Sequence, residues 1–163
     1  PAPFSAAIIR RSPDLPPHPP EPFNKVATWD AQTGKLLKVL HSEDWMYDCV
    51  FSKDRSHILS VYQSGRVTFR EMATGKVLWD QRIEPPDIRL QKIESSPTVA
   101  DGKLYVMDHR GTVVVLQTGD EFKQLAVNPM GADNQQNIRS TVAVAEGHLF
   151  IRTNSKLFCV GQP

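Results

Sequence analysis

Apolar and polar residues alternate over short stretches of this chain, and this alternation predicts strands rather than helices. The clearest stretch is residues 95–119, SSPTVADGKLYVMDHRGTVVVLQTG, in which strand-length apolar runs are separated by glycine-containing turns. Asp101-Gly102 and Arg110-Gly111 supply the positive φ that a tight hairpin requires. The pattern therefore predicts four strands, over 93–99, 103–107, 111–117 and 121–127.

The same pattern returns near the C-terminal end of the chain. The segment VADGKLYV, residues 99–106, aligns without a gap on VAEGHLFI, residues 144–151, which gives a repeat of 45 residues. This period is typical of a β-propeller blade, a radial sheet of four antiparallel strands. Three further strands are expected over 138–145, 148–152 and 156–160, and a looser copy of the repeat occupies 48–75. The fold class is thus all-β, built from propeller blades.

Strands predicted in the first half of the chain bring the total to about three and a half blades. They span 25–30, 35–40, 48–52, 57–62 and 65–71, and Ala6-Ala7-Ile8-Ile9 suggests an isolated edge strand before them. The expected segments are a partial blade over 24–40, blades over 41–83 and 84–130, and a partial blade over 131–163.

An arc of this size does not close a ring of four to eight blades. It leaves strand edges and apolar faces in water, and both promote association. We therefore expect the chain to pair with a second copy of itself or with a missing segment of a larger propeller. A compact four-bladed ring, in which the two N-terminal strands complete the last blade, is the alternative.

Residues 1–23 contain eight of the thirteen prolines of the chain. Proline fixes its own φ and pushes the preceding residue to extended conformations, so 1–23 is expected to be a tether, stiff and polyproline-II-like over 12–22. Arg10, Pro13 and Pro16 have a spacing that peptide-binding domains can read, but such spacings arise easily in proline-rich linkers.

Composition excludes several classes of function. The 19 basic residues nearly balance the 18 acidic ones, so no excess of positive charge favours nucleic acid. The apolar runs are far shorter than the roughly 20 residues of a membrane span. Cys49 and Cys159 lie in apolar strand runs and are expected to be buried free thiols. The chain starts without Met or a signal-peptide pattern, which indicates processing or trimming.

Residues 25–80 resemble the blades of WD-repeat proteins. Trp29-Asp30, a Thr-Gly turn and a strand ending at His41 are similar to the end of such a blade. The family often buries a hydrogen-bonded set of Asp, His, Ser and Trp. His41 and Ser60 stand in matching places, whereas Ser64 and Arg70 replace the other two members, so this network is expected to be half present.

A second resemblance begins at Glu71. Glu71, Gly75 and Trp79 have the spacing of the tryptophan-docking motif of pyrroloquinoline-quinone-type propellers, in which the indole of one blade packs between glycine-containing turns of the next. Residues 95–161 resemble the quinoprotein-like repeats of bacterial extracytoplasmic proteins. The docking motif implies a structural role for Glu71, Gly75 and Trp79. The resemblance of residues 95–161 favours an extracytoplasmic location.

Catalytic chemistry finds little support in the sequence. The histidines are scattered without metal-ligand spacing, and there is no phosphate loop, nucleophile elbow or Cys-x-x-Cys. The quinone dehydrogenases that the resemblance suggests would carry adjacent cysteines, a catalytic Asp and calcium ligands, whereas Cys49 and Cys159 are far apart. We therefore predict no catalytic residue, cofactor or metal.

The leading functional hypothesis is a non-catalytic scaffold that binds protein or peptide through the loops at 42–47, 84–91 and 128–137. Trp45, Met46, His109 and Arg110 are the candidate partner contacts, with His109 expected to be exposed in its turn. Alternatively, Trp45 and Met46 cap the core of a blade. Two other functions remain open: a remnant of a quinone- or sugar-processing propeller enzyme, and a natural or engineered chimera without a partner.

Overall fold

The computed structural model describes residues 4–10, 24–84, 90, 92–130 and 137–161, with the backbone alone for 4–10 and Asn24. These residues form fourteen strands and no helix. The strands build four antiparallel sheets of three, four, four and three strands, each in chain order. The predicted all-β fold of about three and a half propeller blades is confirmed.

The strand bounds agree closely with the alternation of apolar residues. The strands are β1 Phe4–Arg10, β2 Asn24–Asp30, β3 Leu36–Ser42, β4 Met46–Phe51, β5 His57–Tyr62, β6 Arg66–Glu71, β7 Val77–Arg82, β8 Thr98–Ala100, β9 Lys103–Met107, β10 Thr112–Gln117, β11 Lys123–Pro129, β12 Ala143–Ala145, β13 His148–Arg152 and β14 Leu157–Val160.

The chain divides into two compact units, of which the first ends at Met46. Its sheet has the order β1-β2-β3, and β1 pairs with β2 from Phe4↔Asp30 to Arg10↔Asn24. The edge strand suggested at residues 6–9 is therefore present and longer, and it takes 4–10 out of the predicted tether. Residues 11–23, including Pro13 and Pro16, lie outside the described residues.

The second unit, from Tyr47 onward, holds three sheets in which each strand pairs with its chain neighbours. Among the described residues the last sheet holds the three strands β12–β14, and β2 pairs with β1 and with β3 in a sheet of the first unit. The hairpin turns follow the sequence: Gly102 has φ 65° and Gly111 φ 80°, conformations that glycine adopts without steric cost.

The middle sheet, β8–β11, is buried on both faces. Leu104, Val106, Val114 and Leu116 pack with residues of β5, β6 and β7 in one apolar cluster. Residues one position away along the same strands pack instead toward the last sheet, β12–β14. Those residues and their partners are Tyr105, Met107, Val113, Val115, Ile138, Val142 and Ile151. The hairpins that begin near Val99 and Val144 thus belong to successive stacked sheets.

Two predicted strands are shorter than expected, and one of them is the strand over 138–145, since β12 starts at Ala143. The sequence predicted a strand over 93–99, but β8 starts at Thr98, and Ile93 makes only an isolated bridge to Asp108. Between Ile93 and β8, the side chain of Ser95 takes the place of backbone pairing with β9. Its Oγ donates to the Met107 carbonyl at 2.7 Å and accepts from the Met107 N–H at 3.0 Å. Within the described residues, no helix is long and apolar enough to cross a membrane.

Candidate functional site

Successive sheets of the second unit are joined by the same backbone hydrogen bonds at one end. The connections between second and third strands, and those that cross to the next sheet, lie at this end because neighbouring strands run in opposite directions. Ile93 N–H donates to the Gln63 carbonyl at 3.2 Å, and Ile138 N–H donates to the His109 carbonyl at 3.0 Å. We call this end the crossing end.

A partly buried carboxylate occupies the middle of the crossing end. Glu94 accepts a hydrogen bond from Gln63 Nε2 to Oε1 at 2.6 Å and another from Arg139 Nε to Oε2 at 2.7 Å. His109 Nε2 lies 3.0 Å from the same Oε2, close enough for an ion pair but not aligned as a hydrogen bond. Glu94 therefore ties together side chains from three successive sheets.

The surroundings of Glu94 favour its ionised form. Burial acts to raise the pKa of this carboxyl, but the contacts with His109 and Arg139 outweigh it and hold the pKa below its ordinary value. Glu94 was not a candidate in the sequence, and neither were Gln63 and Arg139. The available signal is the repeat itself, because Glu94 and Arg139 occupy equivalent positions 45 residues apart with opposite charges.

Two of the four predicted partner contacts, His109 and Met46, are buried and not exposed as a partner contact would have to be. His109 is only 8% exposed, because its N–H donates to the Lys92 carbonyl and its side chain faces Glu94. Met46 is 2% exposed, as the capping alternative implied. Trp45 is 46% exposed and Arg110 lies at the surface of its turn, so both remain accessible.

Trp79 makes the contact that the tryptophan-docking motif implies. Its indole Nε1 donates to the carbonyl of Gly119, in the β10–β11 turn of the next sheet, at 3.0 Å. The ring stacks on Phe69 with centroids 5.6 Å apart and meets Phe122 edge-on at 5.3 Å. In the same motif Gly75 N–H donates to the Glu71 carbonyl at 2.9 Å, closing the β6–β7 turn.

The other residues singled out as structural lie in strands and turns. Asp30 Oδ1 accepts from the N–H groups of Thr33 and Gln32, and these bonds hold the pKa of Asp30 below its ordinary value. Trp29 is half-buried, His41 is exposed on β3, and Ser60 is buried on β5.

The last sheet presents an open face. By the repeat and the strand register, Phe150, Leu157 and Cys159 correspond to Tyr105, Val113 and Val115 of the middle sheet. Those three are buried, whereas Leu157 is 70% exposed, Cys159 is exposed and Phe150 is half-buried. We call Phe150, Leu157 and Cys159 the open face.

The prediction that both thiols are buried is wrong for Cys159, since Cys159 belongs to the open face and is exposed. Cys49 is half-buried, and burial together with the charge of Asp48 raises the pKa of its thiol to about 12. Both cysteines are free. Among the described side chains, no three of His, Cys, Asp or Glu come together as metal ligands would.

Comparison with known proteins points to a single family. The family model described as outer membrane protein assembly factor BamB, a quinoprotein-like propeller repeat, matches residues 24–162. This range includes 25–80, and the comparisons do not show the resemblance of that half to WD repeats. No curated protein matches the chain.

A solved structure shares the fold. The computationally designed Ika4 protein superposes with a TM-score of 0.60 at 17% sequence identity, over 84% of this chain and 80% of that chain. At this identity the likeness concerns the fold alone.

Proposed function

Because the chain belongs to the quinoprotein-like propeller family described as outer membrane protein assembly factor BamB, we propose that it is a non-catalytic scaffold that assembles with other proteins. The same assignment supports an extracytoplasmic location. The observation that carries the proposal is the open face of the last sheet, where apolar side chains equivalent to buried ones lie in water. Exposed apolar patches of this kind favour association.

The occupant that fits the open face is another propeller sheet. Val113 and Val115, the equivalents of Leu157 and Cys159, are covered by Ile138, Val142 and Ile151 of the following sheet. A sheet that presents the same kind of branched side chains would cover the open face in the same way. It can come from a second copy of this chain or from a further propeller segment.

Cys159 allows a direct test. In an isolated monomer this exposed thiol should react quickly with a maleimide, whereas Cys49 should react slowly because its high pKa leaves little thiolate. We expect labelling of Cys159 to slow by about tenfold or more as protein concentration rises, with light scattering reporting a mass above that of one chain over the same range. Leu157→Lys should abolish both changes, whereas Leu125→Lys, an exposed position on β11, should leave them intact.

If the chain stays monomeric and Cys159 is fully labelled at every protein concentration, a second copy of the chain is excluded as the occupant of the open face. The further propeller segment then remains as the occupant, and protection of Cys159 in the extended protein tests it. Rapid labelling of Cys159 in both forms overturns the assembly role of the open face.

Trp45 is the candidate contact of the first unit. Its exposed indole is of the kind that protein interfaces favour. Once a partner is in hand, Trp45→Ala should weaken its binding, whereas an equal affinity of the variant would make Trp45 a surface residue only.

The enzyme alternative has its own readout. Calcium with pyrroloquinoline quinone should leave the melting temperature unchanged, because a ligand stabilises only a native state that binds it. A rise in melting temperature that depends on both additives would favour the enzyme remnant instead.

A further inference from the structure

Five exposed basic side chains follow one another along the crossing end of the second unit. We call them the basic row: Arg82, Lys92, Arg110, Arg139 and Arg152. They come from the ends of three successive sheets, and each is separated from the next in sequence by at least ten residues. Only the fold brings them to one end.

Hydrogen bonds link the first members of the basic row. Arg82 Nε donates to the Ser64 carbonyl at 3.3 Å, in the β5–β6 turn. The adjoining Gln63 carbonyl accepts from Ile93, the residue after Lys92. The Lys92 carbonyl in turn accepts a hydrogen bond from the N–H of His109, the residue before Arg110, at 3.0 Å.

The same pattern continues into the last sheet. Ile138 N–H donates to the His109 carbonyl at 3.0 Å, which places Arg139 beside the turn of Arg110. Ser140, the next residue, donates from its Oγ to the Arg152 carbonyl. The five positions of the basic row are therefore linked through hydrogen bonds of their backbone neighbours across the crossing end.

Charge is unbalanced at the crossing end. Among the described connections that join strands of the second unit, from β4 to β14, and the residues directly beside them, seven are basic and three acidic: Arg66, Arg82, Lys92, Arg110, Arg139, Arg152 and Lys156 against Glu84, Glu94 and Asp108. Glu94 is held by Gln63 and Arg139, and Asp108 accepts from the N–H groups of Arg110 and Thr112. Glu84 alone of the three is exposed.

The opposite end of the same sheets has no such surplus. Counted in the same way, its described residues are five basic and six acidic: Lys53, Arg55, Lys76, Lys103 and Lys123 against Asp54, Glu71, Asp101, Asp120, Glu121 and Glu146. The chain as a whole is nearly neutral, but the basic residues of the second unit are in excess at the crossing end.

We infer that the basic row binds an acidic peptide segment of a partner protein. The inference rests on the proposed scaffold function and adds a second surface to it, which runs along the crossing end and meets the open face at Arg152, the partner of Leu157 in the strand register. A peptide fits better than a single-stranded nucleic acid, because proteins that bind single strands combine basic side chains with aromatic ones on which the bases stack. Among the described connections from β4 to β14 at the crossing end and the residues directly beside them, the aromatic rings are those of Tyr62 and His109, and both are buried.

The test uses the full chain and a fluorescein-labelled twelve-residue peptide of alternating Glu and Ser. We expect fluorescence anisotropy to report binding at low ionic strength that weakens severalfold between about 50 and 200 mM salt, since exposed charges are screened. The same peptide with Gln for Glu should bind at least about tenfold more weakly.

Matched variants locate the surface. The double variant Lys92→Gln with Arg110→Gln should weaken binding about fivefold, since each exposed ion pair contributes modestly. Lys53→Gln with Lys123→Gln removes the same charge from the opposite end and should change binding less than twofold. Equal losses in both variants overturn the inference, because binding would then follow net charge alone.

Two further outcomes also overturn it. One is tighter binding of a single-stranded oligonucleotide with the same number of charges, and the other is tighter binding of vesicles containing phosphatidylglycerol. Thiol labelling of Cys159 reads the open face and not the basic row, so the failure of this inference and that of the proposed scaffold are told apart.

Discussion

The middle sheet and the last sheet carry the same hairpin in two surroundings. Residues 99–106 and 144–151 align without a gap, and both hairpins pack one face on the preceding sheet. On the other face, Met107 of the middle sheet is fully buried, whereas its equivalent Arg152 is exposed. The hairpin backbone is the same in both sheets. The residue on the face away from the preceding sheet is apolar where another sheet covers it and charged where none does.

This difference shows that two requirements on the sequence are separable. The turn glycines and the alternation specify a hairpin in either place. A neighbouring sheet then decides which outward positions must be apolar, because a residue covered by another sheet cannot hold an unpaired charge without a large cost. Exchanging residues between equivalent positions therefore tests the neighbour and not the hairpin.

The largest effect is expected from exchanging Met107 and Arg152. Met107→Arg should lower the free energy of unfolding by about 3–5 kcal/mol, since it buries a guanidinium among apolar side chains. Arg152→Met should change it by less than about 0.5 kcal/mol, because this position is exposed. Denaturant unfolding followed by the fluorescence of Trp79, with Trp29 and Trp45 replaced by Phe, measures both.

Met107→Leu is the control for this exchange. It conserves volume and apolarity and should cost less than about 1.5 kcal/mol. Comparable losses for Met107→Arg and Arg152→Met would contradict the stacking of the two sheets.

A smaller effect is expected at the serines that precede the two hairpins. Ser95 is buried and both donates to and accepts from the backbone of Met107, so Ser95→Ala leaves two backbone groups unpaired. We expect a loss of about 1–3 kcal/mol. Ser140, its equivalent, bonds only the Arg152 carbonyl where water can reach, and Ser140→Ala should cost a few tenths of a kcal/mol.

The same unfolding assay compares the two serine variants. Ser95→Thr should keep most of the stability if the hydroxyl is what matters. A Ser140→Ala variant as unstable as Ser95→Ala would mean that the last sheet is covered in solution, which the light-scattering measurement would then have to show.

Local features were predictable from the sequence. The strands and the hairpin turns at Gly102 and Gly111 depend on residues within one repeat, and a repeated pattern identifies them. The docking of Trp79 on Gly119 of the next sheet was predictable because the spacing of Glu71, Gly75 and Trp79 matches a known motif. The shortened strands at 93–99 and 138–145 are the exceptions. In the first, the side chain of Ser95 bonds the backbone of Met107 in place of strand pairing, and Ser140 at the equivalent position bonds the Arg152 carbonyl.

Features that depend on another sheet and carry no such motif were not predictable. His109 stands in a polar turn and was expected to be exposed, but Lys92 and Ile138 of the flanking crossings bond its backbone, and it is buried. Cys159 stands in an apolar strand and was expected to be buried, but it lies on the open face. Glu94 and Arg139 are 45 residues apart, so no local pattern announces their contact.

The smallest expected effect concerns this last pair, in which the middle sheet has Glu94 where the last sheet has Arg139. The folded state holds the pKa of Glu94 below its ordinary value, so the contribution of Glu94 to stability is present above about pH 5 and is lost as pH falls through the folded pKa. Glu94→Gln should therefore cost about 0.5–1 kcal/mol at pH 7, since Arg139 is 63% exposed, and progressively less toward about pH 3.

Unfolding at a series of pH values measures the difference between the two proteins. Glu84→Gln removes an exposed carboxylate of the same end and should give a difference close to zero throughout. A Glu94→Gln difference that does not shrink on acidification would mean that the carboxylate acts through packing, and that the three sheets are not held together by its charge.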